Sequence, residues 1–163
     1  RQLESTADFL LYFLNQVREN YDYIIVDTQP TRDSMILSNA LVAADYVLIP
    51  MMCDSFSEDS AFRTYSICNE LRKNPKTNLK GIGVILTMVD KGAATRETRE
   101  ECQRVLGPTL FKTEIPSALA VKTSVRRCVP VCYSAKTQPI GKSYVAAYKE
   151  LKQRLEKLDK EEN

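Results

Sequence analysis

Segments of helical periodicity that alternate with short, continuous apolar runs constrain this 163-residue chain more than any other feature. Leu3, Ala7, Leu10, Phe13, Leu14 and Val17 recur at helical spacing, and the pattern then switches to the run Tyr23-Ile24-Ile25-Val26, which ends at Asp27. The change repeats along the chain. Ser34 to Ala44 reads as helix, Tyr46 to Ile49 as strand, Ser57 to Lys73 as helix and Gly81 to Thr87 as strand. Arg96 to Leu106 is a further helix stopped by Gly107 and Pro108, Thr109 to Ile115 a short strand, and about Ser143 to Leu158 a last long helix before a charged tail. Strands apolar on both faces, separated by helices, predict crossover units: a three-layer α/β fold with a mainly parallel sheet and helices on both faces. The length fits one domain, residues 1–163. Such sheets place ligand chemistry at the carboxyl ends of their strands, here Asp27, Pro50, Thr87 to Asp90, and Ile115 to Pro116.

Composition removes several function classes. Hydrophobic residues make up 44% and charged residues 27%, the balance of a soluble globular chain. No apolar run is long enough to span a bilayer, and the first residues lack the pattern of a secretory signal, so the expected compartment is the cytoplasm. A helical pattern already under way by Leu3 behind a non-methionine start is read as a fragment. There is no histidine, which removes Ser-His-Asp and Cys-His nucleophile machinery. Cys53, Cys68, Cys102, Cys128 and Cys132 show no C-x-x-C spacing and read as free thiols; Cys128 and Cys132 lack the further ligands of a zinc site. A net charge of only +2 restricts any nucleic-acid contact to a local patch.

Four apolar residues ending in Asp27 match the Walker B pattern, in which a strand-terminal acid holds Mg²⁺ beside nucleotide phosphates, though many buried strands end in an acid that only caps a turn. Gly141-Lys142-Ser143 precedes a helix, but a P-loop needs a glycine five positions earlier, where Lys136 stands. A helix start capped by Ser143 is the alternative.

The stretch from Tyr21 to Pro50 resembles the ParA/MinD family of deviant-Walker ATPases: Asp27-Thr28-Gln29-Pro30, Asn39-Ala40-Leu41, Ala43-Ala44-Asp45 and Ile49-Pro50 stand in the family's order and spacing. Gly81 to Asp90 is similar to the family's strand ending T-M-x-D, and Phe111-Lys112-Thr113-Glu114-Ile115-Pro116 to its F-x-T-x-I-P. Met51-Met52 replaces the usual V-Q, which leaves the family's nearby acidic positions, Asp54 and Asp59, without their usual context. The resemblance implies a P-loop NTPase-like fold, truncated at its N-terminus and lacking the K-G-G-x-G-K-T loop, with Asp27 as catalytic acid and Mg²⁺ ligand, and Met88, Asp90 and Pro116 framing the adenine of ATP. It implies an ATPase of plasmid or chromosome partitioning that dimerises with ATP, binds DNA without sequence preference and is stimulated by a ParB-like activator. This chain alone is expected to be inactive. Lys122, Arg126 and Arg127 are the implied DNA contacts, or else a solvated basic loop, since Ser117-Ala118-Leu119-Ala120 stands where the family often has arginines; Arg96, Arg99 and Arg104 form a competing surface, and nucleoid association is a consequence of DNA contact. Two alternatives stand beside this reading: a non-catalytic interaction module of the same fold, and a MinD-like membrane ATPase. The second is opposed by a C-terminal helix whose stripe Val145, Tyr148, Leu151, Leu155 and Leu158 ends in acidic charge and is expected to dock on the sheet.

Overall fold

The computed structural model describes residues 9–29, 35–74 and 77–161. They form two compact units, one comprising residues up to Val47 together with Ser66–Gly81, the other Leu48–Tyr65 and Ile82 onwards.

In the first unit, α1 (Phe9–Asn15) lies against α2 (Met35–Ala43), and Leu10 N–H donates to Asn39 Oδ1 at 3.3 Å. Ala40, Leu41 and Ala43 are the buried face of α2. Asp45 follows, its carbonyl accepting from Lys80 N (2.8 Å) and Gly81 N (3.3 Å) and its carboxylate pairing with Arg18 at 3.1 Å. Asp45 therefore serves a structural role, joining α2 to the segment before Gly81.

The sheet is built from β1 (Tyr46–Met52) and β2 (Gly81–Thr87), parallel strands joined through α3 (Ser55–Lys73). Pro50, expected at the carboxyl end of β1, stands inside it; proline is tolerated where its missing N–H faces no ladder, and β1 has one partner among the described residues. Asp54 starts α3 as an N-cap: Ser57 N–H donates to its Oδ1 at 3.0 Å. Arg72 and Lys73 in the last turn suit the negative end of the helix dipole.

β2 is buried on both faces from Gly81 to Leu86, as its unbroken apolar run predicts. Residues 110–116 run parallel along β2 as a third row, bridging at Val84–Leu110 and Val89–Pro116. Phe111 N donates to Val84 O (2.7 Å) and Ile115 N to Leu86 O (2.9 Å). Between those contacts the row departs from the ladder, so the expected strand is present as two bridges and not as a continuous one.

On one face of β2, Ile85 joins Phe111, Ile115, Val131, Ala135 and Ile140 in a core covered by α5 (Leu119–Arg126), α6 (Val131–Ser134) and α7 (Pro139–Glu161). The opposite parity, Val84 and Leu86, is 0% and 1% exposed. Each such fully buried side chain contributes about 1.5–3 kcal/mol. The remaining helix, α4 (Ala93–Leu106), buries Thr95, Thr98, Cys102 and Leu106 and ends at Gly107, whose φ of 50° falls where a side chain is disfavoured.

Two expectations for α7 are corrected. It begins at Pro139, so Ser143 lies inside the helix and caps nothing. Of the expected stripe Leu151 docks on the core, but it does so beside Ile140 and Ala147, while Val145 and Tyr148 are exposed. The small side chain of Ala147 lets α7 sit close to the core.

Candidate functional site

Tyr23 to Asp27 is the largest departure from expectation. The segment is irregular, belongs to no strand among the described residues, and is exposed along its length, with Ile25 at 90%. A run apolar on both faces holds a strand only when ladder partners and covering layers are present. None of the described strands pairs with it. Asp27 is accordingly an exposed carboxylate in the first unit, preceded by no strand.

The second unit brings the other predicted site residues together. β2 ends at Thr87, whose Oγ1 donates to Met51 O at 3.2 Å across the ends of both strands. Met88 follows with φ 53° and an exposed side chain, a left-handed non-glycine backbone of the kind that persists where surroundings enforce it. Val89 N donates to Ile115 O and Ser117 N to Val89 O, both at 3.0 Å, so Met88 and Pro116 flank one short stretch of paired backbone at the carboxyl edge.

Asp90 stands on the same edge but is engaged. Its Oδ1 accepts from Thr95 Oγ1 at 2.5 Å and from Gly92 N at 2.8 Å, and these two bonds, Thr95 first, hold its carboxyl below the usual carboxylate range. Asp90 thereby ties the end of β2 to the start of α4. From α4, Arg99 makes a paired contact with Glu114 (2.6 and 2.8 Å), one residue before Ile115-Pro116. α4 is thus a strut with one end fixed by Asp90 and its middle fixed to the 110–116 row, an arrangement that sequence reasoning did not find. Charged residues in a helix of low apolar content read as solvent-facing.

Cys53, just beyond β1, is pushed up by burial against an opposing hydrogen bond with Thr95. All five cysteines are free thiols. Among the described residues no group of three acidic or thiol side chains converges as a metal site.

Gly141-Lys142-Ser143 makes no phosphate cradle. It lies within α7, and a Cβ on Gly141 would meet the carbonyl of Ala135 far inside van der Waals contact, so this glycine serves close packing.

Lys122, Arg126 and Arg127 are all exposed, Lys122 and Arg126 one turn apart on α5 and Arg127 in the turn after it. On the competing surface, Arg99 is held by Glu114 and Arg104 by Glu101 at 2.6 Å. Two of its three cations are therefore neutralised in place.

A family model described as an AAA domain matches residues 1–81. The sporulation initiation inhibitor protein Soj of Bacillus subtilis is 34% identical over 106 residues, covering 63% of this chain and 41% of Soj. The chromosome partitioning protein ParA of Myxococcus xanthus is 29% identical over 143 residues, 86% of this chain and 50% of that protein.

The chain is similar to the ParA/Soj partition proteins.

Apo McdA from Cyanothece superposes with a TM-score of 0.77 at 20% identity, over 90% of this chain and 59% of McdA. An ATP complex of a McdA variant superposes with 0.76 at 22% identity. Both share the α/β fold of this chain. The chain spans about half the length of the curated relatives it matches. No helix among the described residues is long and apolar enough to cross a membrane.

Proposed function

We propose that this chain forms the Walker B and base-facing part of a ParA-type partition ATPase that uses ATP. The observation that carries the reading is the carboxyl edge of the second unit: Met88, with its left-handed backbone, and Pro116 are held beside one another by backbone bonds between Val89, Ile115 and Ser117. This is the edge where an α/β sheet takes its ligand. Met88 and Pro116 offer apolar faces to an adenine ring, while Asp90 acts one step removed by fixing the loop that carries Met88.

Asp27 is the residue that would hold Mg²⁺. Magnesium at nucleotide sites commonly keeps water and phosphate ligands beside one or two carboxylates, so a single acid fits its chemistry. The bound ion would neutralise charge developing on the phosphates. Asp27's own task is to present its carboxylate at the strand end, and that requires the Tyr23–Val26 run to be paired and covered. No amide cradle for phosphate is found among the described residues.

The assembled protein acts in DNA segregation. It dimerises with ATP, contacts DNA without sequence preference through Lys122, Arg126 and Arg127, responds to a ParB-like activator, and works in the cytoplasm at the nucleoid. The base-facing edge is tested by nuclear magnetic resonance titration of the isotope-labelled chain with ATP. Shifts concentrated at Met88 to Asp90 and Ser117, lost in Met88→Asp, are expected. Shifts confined to other surfaces would place the base elsewhere.

A further inference from the structure

From Ile115 to Lys149 the chain contains no aspartate or glutamate, while Lys122, Arg126, Arg127, Lys136, Lys142 and Lys149 all fall within it. The six stand against a net charge of +2 for the whole chain, so positive charge is concentrated in this stretch. The stretch is α5, α6 and the first half of α7, and every one of the six cations is exposed.

The core fixes which way these helices face. On α5, Ala120 and Val121 pack on the cluster around Ile85, which turns Lys122 and Arg126 outward. On α7 the core-facing residues are Ile140, Ala147 and Leu151, and Lys142 and Lys149, seven residues apart, lie on the opposite side. Val131 on α6 and Ala135 just after it are buried in the core, and Tyr133, midway between them, is 76% exposed. The acids that bracket the stretch are committed elsewhere: Glu114 to Arg99, and Glu150 to the backbone of Lys112 and Thr113. The cationic side of α7 ends at Glu156, which pairs with Lys152 at 3.8 Å.

We infer that the outer face of the α5–α6–α7 layer is a platform for single-stranded nucleic acid, with Tyr133 as a base-stacking residue among six phosphate-facing cations. The inference rests on the DNA-contact reading and extends it to Tyr133, Lys136, Lys142 and Lys149. Cations alone would serve any polyanion backbone. An aromatic ring left in water within a stretch whose only charged side chains are cations is useful to a ligand that presents unpaired bases, since every base has a face to stack and a duplex hides it.

The test is fluorescence anisotropy of the chain with a labelled oligothymidine strand and with a duplex of equal length, at several salt concentrations. The single strand should bind more tightly. Its log–log salt slope should approach about −4, from six contacts at about 0.7 each. Tyr133→Ala should weaken single-strand binding about tenfold to a hundredfold and leave duplex binding unchanged, while Tyr133→Phe keeps the ring and the affinity. Lys136, Lys142 and Lys149 replaced together by alanine should reduce the slope by about 2. Equal affinity for both ligands with Tyr133→Ala silent would overturn the inference and leave a plain DNA surface standing. Binding of neither ligand would overturn both, and binding only to phosphatidylglycerol vesicles would reassign the face to an anionic membrane. Tyr133 is exposed, so its variants are expected to melt with the parent, which circular dichroism checks.

Discussion

Five backbone groups between Pro108 and Thr113, at the start of the 110–116 row and just before it, depend on two side chains of α7. Glu150 accepts from Lys112 N and Thr113 N, both at 2.9 Å, and Arg154 donates to the carbonyls of Pro108 (2.9 Å), Thr109 (3.3 Å) and Leu110 (2.7 Å) while lying 4.2 Å over the ring of Phe111. The pair replaces a missing strand neighbour and closes an edge that would otherwise invite pairing with another chain. Burial alone would raise the Glu150 pKa, but bonds from Lys112 N, Thr113 N and Arg154 outweigh it and hold the carboxyl below its ordinary value. A depressed carboxylate contributes stability that is complete above the unfolded pKa and is lost as pH falls through the folded one. Glu150→Gln should therefore be less stable than the parent at neutral pH by about 1–3 kcal/mol, a fall of about 2–4 °C in Tm per kcal/mol, with the difference closing at acid pH. Thermal melts across pH test this, and a difference that does not change with pH would remove the charge from the argument. Thiol chemistry gives a second prediction at this scale. Burial pushes Cys68 up to about 11 and Cys102 up to about 12, while Cys128 is exposed. In the folded chain Cys128 should alkylate first and Cys68 and Cys102 only on unfolding, as peptide mass mapping after timed iodoacetamide treatment would show. Early labelling at Cys102 would mean that α4 opens readily.

Elements were legible where one physical cause decides them and illegible where a distant partner does. β2 was read to the residue because an apolar run closed by glycine and threonine leaves few alternatives. Met88 and Pro116 were found at one edge because strand ends are where such sheets put ligands. Tyr23 to Asp27 carries the same kind of apolar run, yet pairing is a property of two segments and a sequence displays only one of them. The inward roles of Glu150 and Arg154 were also hidden, because charge on a helix reads as solvent-facing until the carbonyls it serves are located. Gly141 looked like part of a phosphate loop and proved to be a packing contact of α7 against Ala135. Adding one methyl there forces the start of α7 off the core, so Gly141→Ala should destabilise by about 1–3 kcal/mol, the usual cost of overpacking. Ser143→Ala, removing no cap, should be nearly neutral. Chemical denaturation of the two variants checks the pair, and equal stability of Gly141→Ala with the parent would show that α7 can shift without loss.

At the scale of the whole molecule, the proposed ATPase needs more than this chain, which spans about half the length of the curated relatives it matches. Phosphoryl transfer draws its rate from positioning and from charge stabilisation around the γ-phosphate, supplied together by backbone amides, a lysine, a metal and the acid that holds the metal. Of these parts the proposed site has only its acid, Asp27, in this sequence, which contains no K-G-G-x-G-K-T loop, and Asp27 stands on an exposed segment that no described strand supports. A metal ligand without the amides and lysine cannot distinguish the transition state from free Mg²⁺-ATP, since differential binding is what accelerates the step. The purified chain should therefore release phosphate from Mg²⁺-ATP no faster than buffer. When the chain is joined to sequence carrying the phosphate loop, hydrolysis should appear and should depend on Asp27 far more than on Asp45, whose carboxylate is occupied with Arg18. Pairing of the Tyr23–Val26 run should accompany that gain, which hydrogen exchange would detect as new amide protection from Ile24 to Asp27. Phosphate release by the isolated chain that disappears in Asp27→Ala would overturn this account, because the acid would then be working without the cradle. Equal hydrolysis by the joined protein with and without Asp27 would place the metal on another residue.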